Sequence, residues 1–363
     1  MLSLQTKRNI YRIIPFGLIW LFFSLVYTFL ERGLVGKIDY YPATGNPYHF
    51  ERNLIVTSLT ALVTGLLTGV LEIFYFNKRF VHRPFIQKLL LKSFIYLGIL
   101  LSFLLLLTAS ANAGVNASFF SKQVWSNVWS FVTNIAFVSV LLYITSIILV
   151  AQFYAEVREH IGQGVLNNFF TGKYHTPKEE ERIFMFLDMK SSTTIAESLG
   201  HIRYFEMLRS YYTDLSNPII DFAGEIYQYV GDEIVVSWTL ANGVKNNNCI
   251  ECFFAMKACL QNQQQQYEEK FGVLPSFKAG FHVGKVTTGE IGAIKKEIVF
   301  TGDTLNTAAR IQSLCNNYNT DILLSGVLLD KLQLSANLQA ANLGTAELRG
   351  REESISLYTI SKK

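Results

Sequence analysis

Charge is scarce in this chain. Only 17% of its 363 residues are Asp, Glu, Lys or Arg, while half are hydrophobic. That balance argues against a wholly soluble protein. Cysteine is scarce too, at four. Cys249 and Cys252 form a C-x-x-C pair, Cys259 lies in the same predicted helix and Cys315 stands alone, and no second Cys pair or His pair follows. That excludes the usual zinc spacings and leaves reduced, buried thiols as the reading. The first apolar run lacks a small-residue cleavage site behind it and is too long for a signal-peptide core. Gly/Ser-rich spacers and internal repeats are absent as well, which argues against a flexible tether and against a solenoid. The glutamine-rich QNQQQQYEE at 261–269 continues a helical segment and reads as a solvated face.

What is present is divided unevenly. Residues 1–150 carry 12 Lys/Arg and 4 Asp/Glu, whereas residues 151–363 carry 20 and 24. Apolar runs near 11–30, 54–76, 89–110 and 128–153 fill the basic half. Each has about 20 residues or more, enough to cross a hydrocarbon core of ~30 Å. They predict an N-terminal four-helix transmembrane bundle over 1–153, with the lipid bilayer as its partner. Lys7, Arg8 and Arg12 precede the first run, and Lys78, Arg79, Arg83, Lys88 and Lys92 lie between the second and third. The two remaining connections hold Arg32, Lys37, Arg52 and Lys122. Eight against four places both termini on the cytoplasmic side of a plasma (inner) membrane, in a multi-pass protein. Glu72, at the inner end of the second run, is expected to reach the interface. With no buried ion pair legible among the runs, a transporter reading is disfavoured.

Residues 154–181 read as a helical coupler, broken by Gly162, Gly164 and Gly172 and stopped by Pro177. Over 182–363 strands and helices alternate. The pattern predicts a strand at 182–187, a helical region over 191–222, two strands meeting at Gly231-Asp232, and a long helix over 243–271. It continues with a hairpin around Gly284, a helix over 303–315, and strands near 321–325 and 354–360. Such an order points to an α+β domain with helices on one face of the sheet.

Asp188 ends an apolar strand, FMFLD, and opens onto Ser191, Ser192, Thr193 and Thr194. Asp232 sits at the turn between two other strands. Carboxylates at strand ends hold Mg²⁺ beside a phosphate, and a hydroxyl-rich first helical turn suits polyphosphate through its free N–H groups and dipole. The bland alternative is an N-cap beside a chance acid. Asn306 and Arg310, four apart on a helix, share a face. An Asn with an Arg can orient a sugar oxygen and neutralise a pentavalent phosphate; an exposed polar stripe is the plain alternative.

FLDMKSST, YQYVGDEIVV, FKAGFHVGKVTTGEIG and VFTGDTLNTAARI occur in this order over roughly residues 180–361, and together they resemble the catalytic domain of class III nucleotidyl cyclases. A diguanylate cyclase signature also places Gly-Asp-Glu in a hairpin, but GDTLNTAARI has no place in it. The resemblance implies a ferredoxin-like α+β catalytic domain that makes a 3′,5′-cyclic nucleotide and pyrophosphate from a nucleoside triphosphate, with two Mg²⁺ or Mn²⁺ ions per site. Asp188 and Asp232 match the metal-binding aspartates, with the Met189 carbonyl beside them. Ser192 and Thr193 match the phosphate-cradling turn, Asn306 and Arg310 the transition-state pair, and Lys278 and Arg351 (in LRGRE) two basic triphosphate contacts. It further implies a head-to-tail homodimer, one chain supplying both aspartates and the other Asn306, Arg310 and Arg351, and no nucleic-acid partner. Gln228 and Val299 stand where adenylate-specific members usually carry Lys and Asp or Thr. ATP is the expected substrate. Guanylate or another nucleotide cyclase is the alternative, as is a catalytically silent dimer that relays a membrane signal.

Overall fold

A computed structural model describes residues 4–40, 48–80, 83–113, 118–161, 168, 171–348 and 354–363. The chain divides into two compact units, one over Thr6–Gln163 and one over Gly164–Lys363 together with Met1–Gln5.

The N-terminal unit contains α1 (Leu4–Val35), α2 (Phe50–Leu71), α3 (Phe85–Ala113), α4 (Lys122–Val132) and α5 (Ile135–Ile161). Among the described residues four helical segments are long and apolar enough to cross a membrane: Gln5–Val35, Phe50–Phe76, Phe85–Ser110 and Ile135–Ile161. The fourth begins later than the hydrophobic run suggests, because Thr133 and Asn134 break the helix. The Thr133 hydroxyl donates to the Trp129 and Ser130 carbonyls, and Asn134 Oδ1 accepts from the Ala136 N–H, restarting the helix as a cap. α1 and α2 approach closely at Gly65 and Gly69. A Cβ on Gly65 would lie 2.6 Å from the Phe16 carbonyl oxygen, the small-residue spacing that lets membrane helices touch. α2 runs on as a π-helical turn, Glu72–Phe76. The expectation for Glu72 is overturned here. It does not reach an interface: it is fully buried and bonded to Lys92, also buried.

The C-terminal unit contains β1 (Lys178–Met189), α6 (Ser192–Leu199), α7 (His201–Asp221), β2 (Glu225–Val230), β3 (Glu233–Thr239), α8 (Asn248–Asn262), α9 (Gln264–Phe271), β4 (Phe277–Ile291), β5 (Glu297–Thr301), α10 (Asp303–Ser313), β6 (Ile322–Ser325), β7 (Leu338–Ala346) and β8 (Ile355–Lys362). The strands form one sheet in the order β2-β3-β1-β4-β6-β8-β7, with β5 added to the far end of β4. Every pairing is antiparallel except β4 with β6. Alternation along β1 sends Ile183, Met185, Leu187 and Met189 into a core with α7 and α8. It sends Phe184 and Phe186 to the other face, against Ala308 of α10. So the helices do not share one face: α10 crosses the opposite one.

Several predicted boundaries shift. β1 starts at Lys178, inside the stretch read as a helical coupler. The region 191–222 is two helices, parted at Gly200 with φ +72°. The long helix over 243–271 breaks at Asn246 and Asn247, both at positive φ, and again at Gln263. The hairpin around Gly284 is one continuous strand, β4. Its glycines serve packing instead of turning. A Cβ on Gly280 would come within 2.2 Å of the Gln312 amide nitrogen, and one on Gly284 within 2.5 Å of Thr304 Oγ1. Both vacate the sheet face on which α10 lies. β5 and β7, short or poorly alternating, were not foreseen.

Candidate active site

Asp188 and Asp232 reach one place from two strand ends. β1 carries Asp188 as its penultimate residue, pointing to the α10 face. Gly231, at φ +62°, and Asp232 make the two-residue link between β2 and β3. The Asp232 carboxyl lies near enough to Asp188 to act on its ionisation. Burial, followed by the facing Asp232, raises the Asp188 carboxyl above the ordinary range, while Lys278 and Gln312 oppose the shift. Glu233 is raised for the same reasons, burial first and then both aspartates. Asp232 Oδ2 is buried without a hydrogen-bond partner. Two facing acids with an orphaned oxygen call for a positive charge.

Lys278 supplies one. It sits opposite Asp188 in the β1–β4 register, with Nζ 3.5 Å from Asp188 Oδ2 and 3.4 Å from Asn316 Oδ1. Gln312 of α10 donates its amide to the same Asp188 oxygen at 3.1 Å. Met189 has its side chain in the core, so only its carbonyl could serve a ligand here. Among the described residues no group of three or more His, Cys, Asp or Glu converges. A divalent cation therefore fits as a guest of this acid pair and the Met189 carbonyl, completed by oxygens the chain does not provide.

α6 begins beside this pair. Ser191, its N-cap, has φ +53° and makes no side-chain cap bond. The first-turn N–H groups of Ser192 and Thr193 thus remain for an anion. The Tyr204 phenol is raised by burial and then by Asp232, with Ser192 opposing the shift. Tyr212 donates to the Gly231 carbonyl and so braces the turn that carries Asp232.

Asn306 and Arg310 lie elsewhere. Both are on α10, Asn306 exposed and Arg310 half-buried with Nη1 lacking a partner. Gln312, two residues past Arg310, is the α10 residue that touches Asp188. At ~100° per residue Arg310 points about 200° away from it. Gln228 is exposed on edge strand β2, beside a bulge. Val299 is half-buried on β5 opposite Gly289. Their strands are joined by Tyr227 and Phe300, ring centroids 4.9 Å apart. Arg351 lies outside the described residues. The structure thus gathers Asp188, Met189, Asp232, Ser192, Thr193 and Lys278, and separates them from Asn306 and Arg310. An open cavity of ≈ 700 Å³ near Val244, Asn247, Glu251 and Lys331 shares no residue with either group.

Gln312 and Tyr204 escaped sequence reasoning. Neither belongs to a recognisable spacing. Gln312 is found only once Gly280 shows where α10 meets β4.

Residues 175–362 match the family model described as the adenylate and guanylate cyclase catalytic domain. The chain belongs to that family. It is 33% identical over 209 residues to adenylate cyclase 2 of Rhizobium meliloti (strain 1021), a match covering 58% of each chain. It is 27% identical to adenylate cyclase 1 of the same organism, over 56% of this chain and 30% of that one. The chain thus aligns with little more than half of one relative and less than a third of the other. A solved bacterial light-regulated adenylyl cyclase shares the fold, with a TM-score of 0.52 at 22% identity, over 59% of this chain and 62% of that one. Within the cyclase family, the acid pair on strand ends and the separated Asn306/Arg310 helix are the features to be explained.

Proposed function

We propose that the protein is a membrane-anchored nucleotidyl cyclase, converting ATP to the 3′,5′-cyclic monophosphate and pyrophosphate at the interface of a homodimer. The helices through Ile161 form its membrane domain and the unit from β1 at Lys178 onward its catalytic domain, with both termini cytoplasmic in a plasma membrane. The observation that carries the reading is the carboxylate pair with its orphaned oxygen, facing a lysine where a cation is wanted. Asp188, Asp232 and the Met189 carbonyl would hold two Mg²⁺ or Mn²⁺ ions per site. Such ions, when bound, acidify the ribose 3′-hydroxyl and offset charge on the triphosphate.

The remaining work falls to side chains. The Ser192–Thr193 turn binds phosphate oxygens through N–H groups, and Lys278 turns from Asp188 to the triphosphate once another positive charge is present. Asn306 orients the ribose. Arg310 stabilises negative charge at the α-phosphorus as the 3′-oxygen attacks and pyrophosphate leaves. Because α10 turns Arg310 away from its own Asp188, the geometry favours a site in which Asn306, Arg310 and Arg351 come from the second chain. Gln228 and Val299 face the base. Gln228 both donates and accepts, Val299 does neither, and discrimination among bases is correspondingly loose.

The test is direct. The purified full chain is incubated with ATP, GTP, CTP and UTP in turn with Mn²⁺, and products are identified by mass. Cyclic AMP as the main product is expected. No cyclic nucleotide from any triphosphate would refute the enzyme and favour a silent relay; strong turnover of CTP or UTP would overturn the adenylate assignment.

A further inference from the structure

Beyond the catalytic unit, the N-terminal helices bury a charge cluster that no catalytic role absorbs. Lys92 of α3 lies between two acids, 2.6 Å from Glu72 Oε1 on α2 and 2.8 Å from Glu156 Oε1 on α5. The Lys92 side chain is 1% exposed and both acids 0%. Tyr96 donates to the second oxygen of Glu72 at 3.1 Å. Burying three charges costs more than a packed apolar core would, so such a triad is weak evidence of stability and better evidence of a role.

The triad is also incomplete. Glu156 Oε2 is buried without a hydrogen bond. Facing it at 3.7 Å is Nζ of Lys88, one helical turn before Lys92 on α3. Glu156 therefore has two alternative lysines on one helix face, one engaged and one just out of reach. Glu72, at the start of the π-helical turn, is held by Lys92 and Tyr96, with the Asn77 amide a further donor 2.9 Å from its Oε1. A shift of α5 along α3 would hand Glu156 from Lys92 to Lys88 and leave the Glu72–Lys92 pair standing. Displacements of about 1–2 Å at helix interfaces are the common currency of such switches. Among the described residues α5 ends at Ile161, ahead of β1 in the chain.

We propose that Glu156 exchanges between Lys92 and Lys88, and that this slide of α5 along α3 is how the membrane helices set the output of the cyclase. The coupling to output rests on the cyclase reading above; the slide itself does not.

Two full-chain variants in lipid vesicles separate the pairings. Lys88→Met leaves Glu156 only Lys92. Glu72→Gln/Lys92→Met leaves it only Lys88, and does so without stranding a buried acid on α2. Two readouts are taken. The first is cyclic nucleotide formation, expected to differ between the variants by about fivefold or more. The second needs no catalysis. Phe85 at the start of α3 lies between two α5 side chains, with ring centroids 6.3 Å from Phe153 and 6.1 Å from His160. Cysteine pairs Phe85→Cys/Phe153→Cys and Phe85→Cys/His160→Cys are joined with a short bis-thiosulfonate. Moving Glu156 towards Lys88 carries Phe153 towards position 85 and His160 past it. The double variant should raise the 85–153 yield relative to the 85–160 yield, and Lys88→Met should not. Equal yield ratios in the two backgrounds overturn the slide, whatever the enzyme does. Different ratios with equal turnover overturn the coupling. A wild-type chain that makes no cyclic nucleotide refutes the cyclase reading and the control of it, while the cross-link ratio still decides the slide. Should the double variant fail to fold, Glu156→Gln, which weakens both pairings, must change the yield ratio from wild type or the exchange is refuted.

Discussion

A mixing experiment tests the shared site most sharply. Asp232→Ala removes an acid, and Arg310→Ala removes the α10 cation on the face turned about 200° from Gln312, the residue that holds Asp188. If one site needs Asp232 from one chain and Arg310 from the other, each homodimer is dead. Random reassortment of a 1:1 mixture makes about half the dimers mixed, and each mixed dimer has one intact site of two. Activity should recover to about 25% of the same amount of wild type. The complementary arrangement gives a second number. A chain carrying both lesions, mixed 1:1 with wild type, spoils both sites of every mixed dimer, leaving about 25% of sites active. Were each site built within one chain, the same mixture would keep about 50%. The assay is initial rate with Mn²⁺-ATP, with mixed dimers counted by two affinity tags. No recovery in the first mixture despite tagged heterodimers, or 50% in the second, refutes the composite site.

Three further outcomes are expected. Gln312→Met keeps the side-chain volume but removes the amide donated to Asp188; Mn²⁺ affinity measured by calorimetry should fall about 10- to 100-fold, and an unchanged affinity would reduce Gln312 to packing. Gln228→Glu should move the ATP:GTP turnover ratio towards GTP by about 1–3 kcal/mol, because a carboxylate accepts from guanine N1–H and N2–H₂, and an unmoved ratio places base choice elsewhere. Burial pushes the Cys249 and Cys315 thiols up to about 12 and Cys252 well above its usual value. A raised folded value keeps each thiol protonated through neutral pH, so a thiolate-directed reagent at pH 8 should label half-buried Cys259 first and the others only on unfolding; rapid labelling of Cys249 would contradict the packing of α8.

How much of this was legible beforehand differs element by element. The helical spans, the strand pair meeting at Gly231-Asp232 and the acids at strand ends follow from local pattern, because length, alternation and turn residues act over a few neighbours. Asp188 and Asp232 were readable as a pair only through their motifs, since 44 residues separate them and no local rule says that β1 and the β2–β3 turn meet. Gly284 misled for a related reason. A glycine in an alternating run suggests a bend when only its neighbours are considered, and its use here is to admit Thr304 from another element.

The sequence by itself determined which side chains are available and which stretches must leave water: four apolar runs, an acid at each of two strand ends, and an Asn–Arg face on one helix. Only the tertiary structure decided that Arg310 and Asp188 diverge within a chain, that Gln312 holds Asp188, and that Glu72 is buried against Lys92 instead of reaching an interface. The physical reason is that burial and charge pairing depend on distances between elements far apart in the chain. Glu72 and Glu156 are both drawn to Lys92 in the structure, yet nothing in the residues around either acid names the lysine it will meet.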